Sequence, residues 1–208
     1  MNIRDLLSKK CRFPVWLNVL VTVYVLIFIP VYWVERGPAN FLWFCDIALF
    51  ITVFALWYES RLLASINAIG ILLPELAWNL DFFFRLITGN HLFGLQGTAY
   101  MFTSAAPMSI RVLSLFHLFL PILVIWMLYR LGYDNRAFLV QTLIAWIVLP
   151  ISCWVSSPSA NINWIFGLGS QPQTWMPPYL FVIVLMVFFP VCVYLPTHLL
   201  LNRLVNSQ

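Results

Sequence analysis

Six continuous apolar runs, at 16–34, 41–58, 62–88, 110–129, 137–156 and 178–201, constrain this chain more than any other feature. A helix needs roughly 20 apolar residues to cross the hydrocarbon core of a bilayer. In that medium the backbone must satisfy its hydrogen bonds internally. Alternating strands of a membrane barrel are excluded, because the runs are unbroken. The expected fold is all-α, a polytopic membrane bundle of six transmembrane helices forming a single integral-membrane domain over 1–208. Charged residues make up 9% of the chain, against about 25% in soluble domains. That excludes a soluble enzyme, a disordered chain and a nucleic-acid-binding domain, and makes membrane lipids the expected partners.

The basic start resembles a signal peptide, but the run at 16–34 is too long and no small-residue cleavage site follows it. It reads as a retained span. Alternating the spans puts Arg4, Lys9, Lys10, Arg12, Arg61, Arg130, Arg136 and Arg203 on one side, and Arg36, Arg85 and Arg111 on the other. Eight against three sets the richer side in the cytoplasm. Both termini are then cytoplasmic, and the two long connections, 89–109 and 157–177, face outward. The expected location is the cell (inner) membrane, multi-pass. The cysteines at 11, 45, 153 and 192 form no CxxC pair and read as small buried hydrophobes.

Asp46, Glu75 and Asp81 lie inside expected spans. A charge at bilayer depth costs about 2.5–3.5 kcal/mol on insertion scales, so each marks a candidate site. Asp46, Asp81, Arg85, Ser114 and His117 share one layer in the outer half, with Glu75 near the midplane. At 100° per residue, Asn67, Trp78, Asp81 and Arg85 fall within about 60° of one another. Arg111, Ser114, His117 and Pro121 form a second stripe. Pro121 cannot donate to the carbonyl of His117, nor Pro74 to that of Gly70.

These residues suggest chemistry and also plainer roles. His117 is the candidate base, Asp46 or Asp81 its orienter, and Cys45 or Ser114 the nucleophile. The plainer role is a buried His–Asp bond that locks helices. Arg85, Glu75, Trp78, Asn161, Asn163 and Trp164 are candidate substrate-binding residues. Asp81 and Arg85 are spaced i, i+4 and are expected to pair; the guanidinium is alternatively an anion anchor. The amide-rich loop 159–167 either caps the site or rests among headgroups. Two carboxylates and a histidine suit a divalent ion, but His91 and His198 lie elsewhere and no HExxH occurs, so no metal and no cofactor is expected.

The stretch Phe41-Leu42-Trp43-Phe44-Cys45-Asp46-Ile47, the sequence His117-Leu118-Phe119-Leu120-Pro121 and the aromatic stretch Trp164-Ile165-Phe166 together resemble the androgen-induced integral-membrane lipid hydrolases. The resemblance implies six spans and hydrolysis of branched fatty-acid esters by a threonine in the second span and a histidine in the fourth. Trp43 occupies the threonine position, and Cys45 lies about 200° around the helix from it, so only His117 carries over. The Asn161-Ile162-Asn163-Trp164 loop is also similar to one in uncharacterised bacterial six-span membrane proteins. The expected function is an intramembrane hydrolase or acyl-transfer enzyme acting on a lipid or lipid-linked ester from the outer leaflet. The alternatives are a small proton-coupled transporter using Glu75 and Asp81, or a non-catalytic scaffold.

Overall fold

A computed structural model describes residues 12–92, 97–104, 106–168 and 172–206. Arg4, Lys9, Lys10 and Cys11, which enter the charge count and the cysteine reading, lie outside the described residues. The chain runs through α1 (Val15–Arg36), a 3-10 turn (Pro38–Leu42), α2 (Phe44–Tyr58), α3 (Arg61–Thr88), a second 3-10 turn (Ala99–Phe102), α4 (Met108–Leu113), α5 (Phe116–Leu131) and α6 (Ala137–Val155). A third 3-10 turn (Ile162–Trp164) follows, then α7 (Pro178–Phe188), a π-helical segment (Phe189–Tyr194) and α8 (Leu195–Asn206). Among the described residues there is no strand.

Five stretches are long and apolar enough to cross a membrane: α1, α3, the α4–α5 run, α6 and the run from Pro178 to Leu204. These are the helices of a multi-pass integral membrane protein. The sixth expected span differs. α2 has 15 residues, or about 22 Å at 1.5 Å per residue. It begins at Phe44, three residues later than the apolar run. Gly37 ends α1 with φ 79°, a conformation that carries no steric penalty only for glycine. Pro38 then opens a 3-10 turn, and Trp43 is extended. A span of this length falls about 8 Å short of the hydrocarbon thickness.

α3 lies at the centre and packs against α2, α5 and α6. Its start is capped by Ser60, whose Oγ accepts from Leu63 N at 3.3 Å. Its end is turned by Gly89 at φ 75°. Gly70 permits the close crossing with α6: a Cβ there would stand 2.8 Å from the Gln141 amide nitrogen. Phe28 centres an aromatic layer with Tyr32, Phe41, Phe50 and Phe116. Trp154, 87% exposed, and Ile122, 68% exposed, turn outward, as apolar side chains in lipid should. The last span is interrupted at Pro190, which has no N–H to donate. The backbone widens there into the π segment, where Phe189 faces the interior cavity and Tyr194 is fully buried.

At the end away from the cavity the connections are short and charged. Arg130 donates to the carbonyl of Arg12 at 2.8 Å, and His198 bonds Tyr133 at 2.6 Å. Asp134 accepts from Arg136 Nη2 at 2.8 Å.

Candidate active site

The α4–α5 run breaks at Ser114 and Leu115. Leu115, His117 and Leu118 each donate three residues back, to Val112, Ser114 and Leu115, at 3.0–3.2 Å. This tighter winding stacks positions i and i+3, so Ser114 and His117 face the same way. Pro121 leaves the His117 carbonyl without its helical donor, and Asn79 supplies one: its Nδ2 donates to that oxygen at 2.8 Å and to Glu75 O at 2.7 Å. Asn79 thereby pins α3 to α5 at the level of Glu75. Its sequence signal is an asparagine one turn after Glu75 in an apolar span, which charge alone does not pick out.

Glu75 and His117 are both buried. The His117 Nδ1 lies 2.8 and 2.9 Å from the two Glu75 carboxylate oxygens. Trp78 stacks on the imidazole with centroids 4.4 Å apart, and Phe116 at 4.1 Å. Among the described residues Nε2 makes no hydrogen bond. Cys45 completes the group: its Sγ, a His117 ring nitrogen and a Glu75 carboxylate oxygen all lie within 4.8 Å of one another. Cys45 Sγ also donates to Asp46 Oδ1 at 3.7 Å, and Asn40 Nδ2 donates to Asp46 Oδ2 at 2.8 Å. Cys45 and Asp46 both occupy the first turn of α2, where unpaired N–H groups concentrate positive potential.

The first turn of α2 is fixed from far along the chain. Asn163 Oδ1 accepts from Phe44 N at 3.1 Å, and its Nδ2 donates to Leu42 O at 2.7 Å. Asn163 holds φ 52° to do so, flanked by Asn161 at 41° and Trp164 at 62°. Side chains avoid this left-handed region unless surrounding contacts impose it. Asn161 serves the loop itself, accepting from Phe166 N at 2.9 Å and donating to Gly167 O at 2.8 Å. Trp164 meets Trp43 edge to face at 6.3 Å.

These parts enclose a cavity of about 700 Å³, lined among others by Tyr32, Trp43, Cys45, Asp46, Glu75, Trp78, Tyr100, Ser114, His117, Asn161, Asn163 and Trp164. The volume is in the range of small-molecule sites. Tyr100 sits in the second 3-10 turn. Burial pushes its hydroxyl above the ordinary tyrosine range, opposed by a hydrogen bond with Ser114 and reinforced by Cys45, Asp46 and Glu75, so it stays protonated.

Several expectations change. The carboxylate on His117 is that of Glu75, expected to bind substrate, and not that of Asp46 or Asp81. Ser114 lines the cavity, but its Oγ bonds Tyr32 Oη at 2.6 Å and not the imidazole. Asp81 and Arg85 do not line the cavity. Asp81 accepts from Leu92 N at 2.7 Å and from Thr98 Oγ1, and pairs with His91 at 3.1 Å. The chain reverses after Gly89 and brings those donors back to it. Arg85 contacts His91 and lies 5.0 Å above the Phe102 ring. The expected Asp81–Arg85 pair is thus an Asp81–His91 pair, and Asp81 ties loop to helix. Glu75 and Asp81 stand apart, each with its own histidine. Tyr32 and Tyr100 line the cavity with no sequence signal that marks them for it, since a tyrosine near a span end suits the headgroup level equally well.

Cys45, Glu75 and His117 also make a sulfur, oxygen and nitrogen donor set of the kind that holds zinc. No family model, curated protein or solved structure matches the chain.

Proposed function

We propose that this protein is an acyl-transfer enzyme of the membrane, a hydrolase or transferase that takes the acyl group of a lipid ester through Cys45. The observation that carries the reading is the convergence of Cys45, His117 and Glu75 within 4.8 Å on one wall of the cavity. These three residue types are the ones that serve as nucleophile, base and orienting carboxylate in acyl transfer. Glu75 holds the Nδ1 proton and leaves Nε2 to accept. Nε2 takes the Cys45 thiol proton, and the sulfur attacks the ester carbonyl. A C–S bond forms, the C–O bond to the alcohol breaks, and the imidazolium returns the proton to the departing oxygen. Water or an acceptor alcohol then attacks the thioester, giving its proton to Nε2, and the thiol is restored. Tyr100 supplies a neutral hydroxyl in the same cavity.

The resemblance to the lipid hydrolases supports the lipid ester and His117. It departs at the nucleophile, where a cysteine takes the threonine's task from another face of the helix. With the basic residues inside, both termini are cytoplasmic and the cavity opens toward the outer leaflet. An impermeant thiol reagent on intact cells should label a cysteine placed at Ser159, and labelling only after permeabilisation would reverse this orientation.

The decisive experiment incubates purified protein with a lipid ester bearing an alkyne on its acyl chain. A hydroxylamine-labile adduct on Cys45 is expected by mass spectrometry, absent in Cys45→Ala and unchanged by a zinc chelator. An adduct of equal yield in Cys45→Ala, no adduct at all, or loss on chelation would overturn the reading.

A further inference from the structure

Among the described residues four carboxylates are buried, and three of them have a basic side chain within 3.1 Å. Glu75 has His117, Asp81 has His91 and Asp134 has Arg136. The fourth, Asp46, is 2% exposed and forms no ion pair among the described residues. Its two bonds come from neutral donors, Asn40 and Cys45. A carboxylate withdrawn from water without a counter-charge is costly, and this one lies in the wall of a 700 Å³ cavity. The same walls carry the rings of Tyr32, Trp43, Tyr100 and Trp164. Aromatic faces attract organic cations by about 0.5–2 kcal/mol each, most strongly when water is excluded.

We propose that Asp46 seats a cation of the substrate: the cavity takes a lipid ester whose polar part carries an ammonium group, primary or quaternary. This deepens the acyl-transfer reading and rests on it for the word ester. Reach limits where the cation sits. Cys45 Sγ and Asp46 Oδ1 are 3.7 Å apart. Adding one contact length at each end places the ammonium within roughly 10 Å of the carbonyl under attack. Lipids with ethanolamine or choline headgroups meet that limit. A lipid whose headgroup is purely anionic meets an unpaired carboxylate instead. Arg36, at the cavity mouth over the Tyr100 ring at 5.8 Å, offers a guanidinium to the phosphate of such a zwitterion.

The test reads binding and needs no turnover. Detergent-solubilised full-length protein is offered equal amounts of phosphatidylcholine, phosphatidylethanolamine and phosphatidylglycerol with identical acyl chains, and retained lipid is measured by native mass spectrometry. The wild-type protein should retain one or both amine lipids over phosphatidylglycerol by about tenfold. Retention of the ethanolamine lipid alone identifies a primary ammonium bonded to Asp46; retention of the choline lipid identifies a quaternary ammonium held by the rings. Asp46→Asn keeps the shape and an oxygen for Asn40, and should bring the ratio close to one. No preference in the wild type, a preference for phosphatidylglycerol, or an undiminished ratio in folded Asp46→Asn would overturn the proposal. If the variant does not fold, the wild type decides: the matching cation, ethylammonium for a retained ethanolamine lipid or tetramethylammonium for a retained choline lipid, against sodium at equal ionic strength, should displace that lipid, and failure to do so overturns the proposal. A missing Cys45 adduct removes the catalytic reading and leaves these ratios untouched, so the two failures are distinguishable.

Discussion

Glu75 meets His117 with both carboxylate oxygens, at 2.8 and 2.9 Å from Nδ1. A carboxylate only accepts, so the ring proton facing it sits on Nδ1, and in the neutral ring Nε2 is then the acceptor. Glu75→Gln changes that, because an amide can donate to Nδ1 and shift the ring proton to Nε2. Adduct formation on Cys45 should fall about 10²–10⁴-fold, the range expected when a base is held in the wrong tautomer, while the thermal midpoint changes little. A wild-type adduct rate in Glu75→Gln would make the pair a helix tie and nothing more.

Asn79 and Pro121 form a lock that can be tested as a cycle. Asn79→Ala leaves the His117 carbonyl without a donor, at a cost of about 1–3 kcal/mol. Pro121→Ala restores an N–H one turn below that oxygen. The double variant should therefore recover much of the stability lost in Asn79→Ala, a non-additivity read from thermal melts. Strictly additive losses would mean that the carbonyl is not what Asn79 serves.

Asn163 can be separated into side chain and backbone. Asn163→Ala loses the bond to Phe44 N and keeps the left-handed φ. Asn163→Gly loses the same bond but relieves the backbone. Both should lower stability by about 0.5–2 kcal/mol, the scale of a lost helix cap, with alanine worse by up to about 1–2 kcal/mol. Equal melts for the two would show that the φ of 52° carries no strain.

Asp134 gives a pH signature. Hydrogen bonds from Arg136, reinforced by its charge, hold the Asp134 carboxyl below its ordinary value. A group depressed in the folded state stabilises above its unfolded pKa, about 3.9, and loses that contribution as pH falls through the folded value. Wild type should melt above Asp134→Asn at neutral pH, and the gap should close below about pH 4. A gap independent of pH would assign the effect to shape alone.

Much of this fold is legible in the order of residues because bilayer thickness dictates helix length. Arg61–Thr88 and Ala137–Val155 fall within a residue or so of their apolar runs. The start of α2 does not, because its first turn is set by Asn163, and no local signal at 41–44 reports that. The site was partly legible for the same reason. Depth and helical face brought Asp46, Asp81, Arg85, Ser114 and His117 toward one layer, since both follow from counting along a helix, and Asp46, Ser114 and His117 do line the cavity. Which carboxylate the histidine takes was not legible. Glu75 and Asp81 share the α3 surface, and the choice turns on a loop reversal after Gly89 that gives Asp81 other donors. The Asp81–Arg85 expectation failed on the same point: i, i+4 spacing measures proximity within a helix and says nothing of competitors arriving from outside it.

The bond between Phe44 N and Asn163 Oδ1 joins residues 119 positions apart. A ribosome releases this chain from its beginning, so α2 enters the bilayer with its first turn unfastened. It remains so until α6 and the loop beyond it have emerged. Cys45 sits in that turn. The thiol therefore acquires its final position only late in synthesis, when most of the bundle already encloses it, and a chain truncated before Asn163 lacks the clasp that sets its sulfur beside the imidazole.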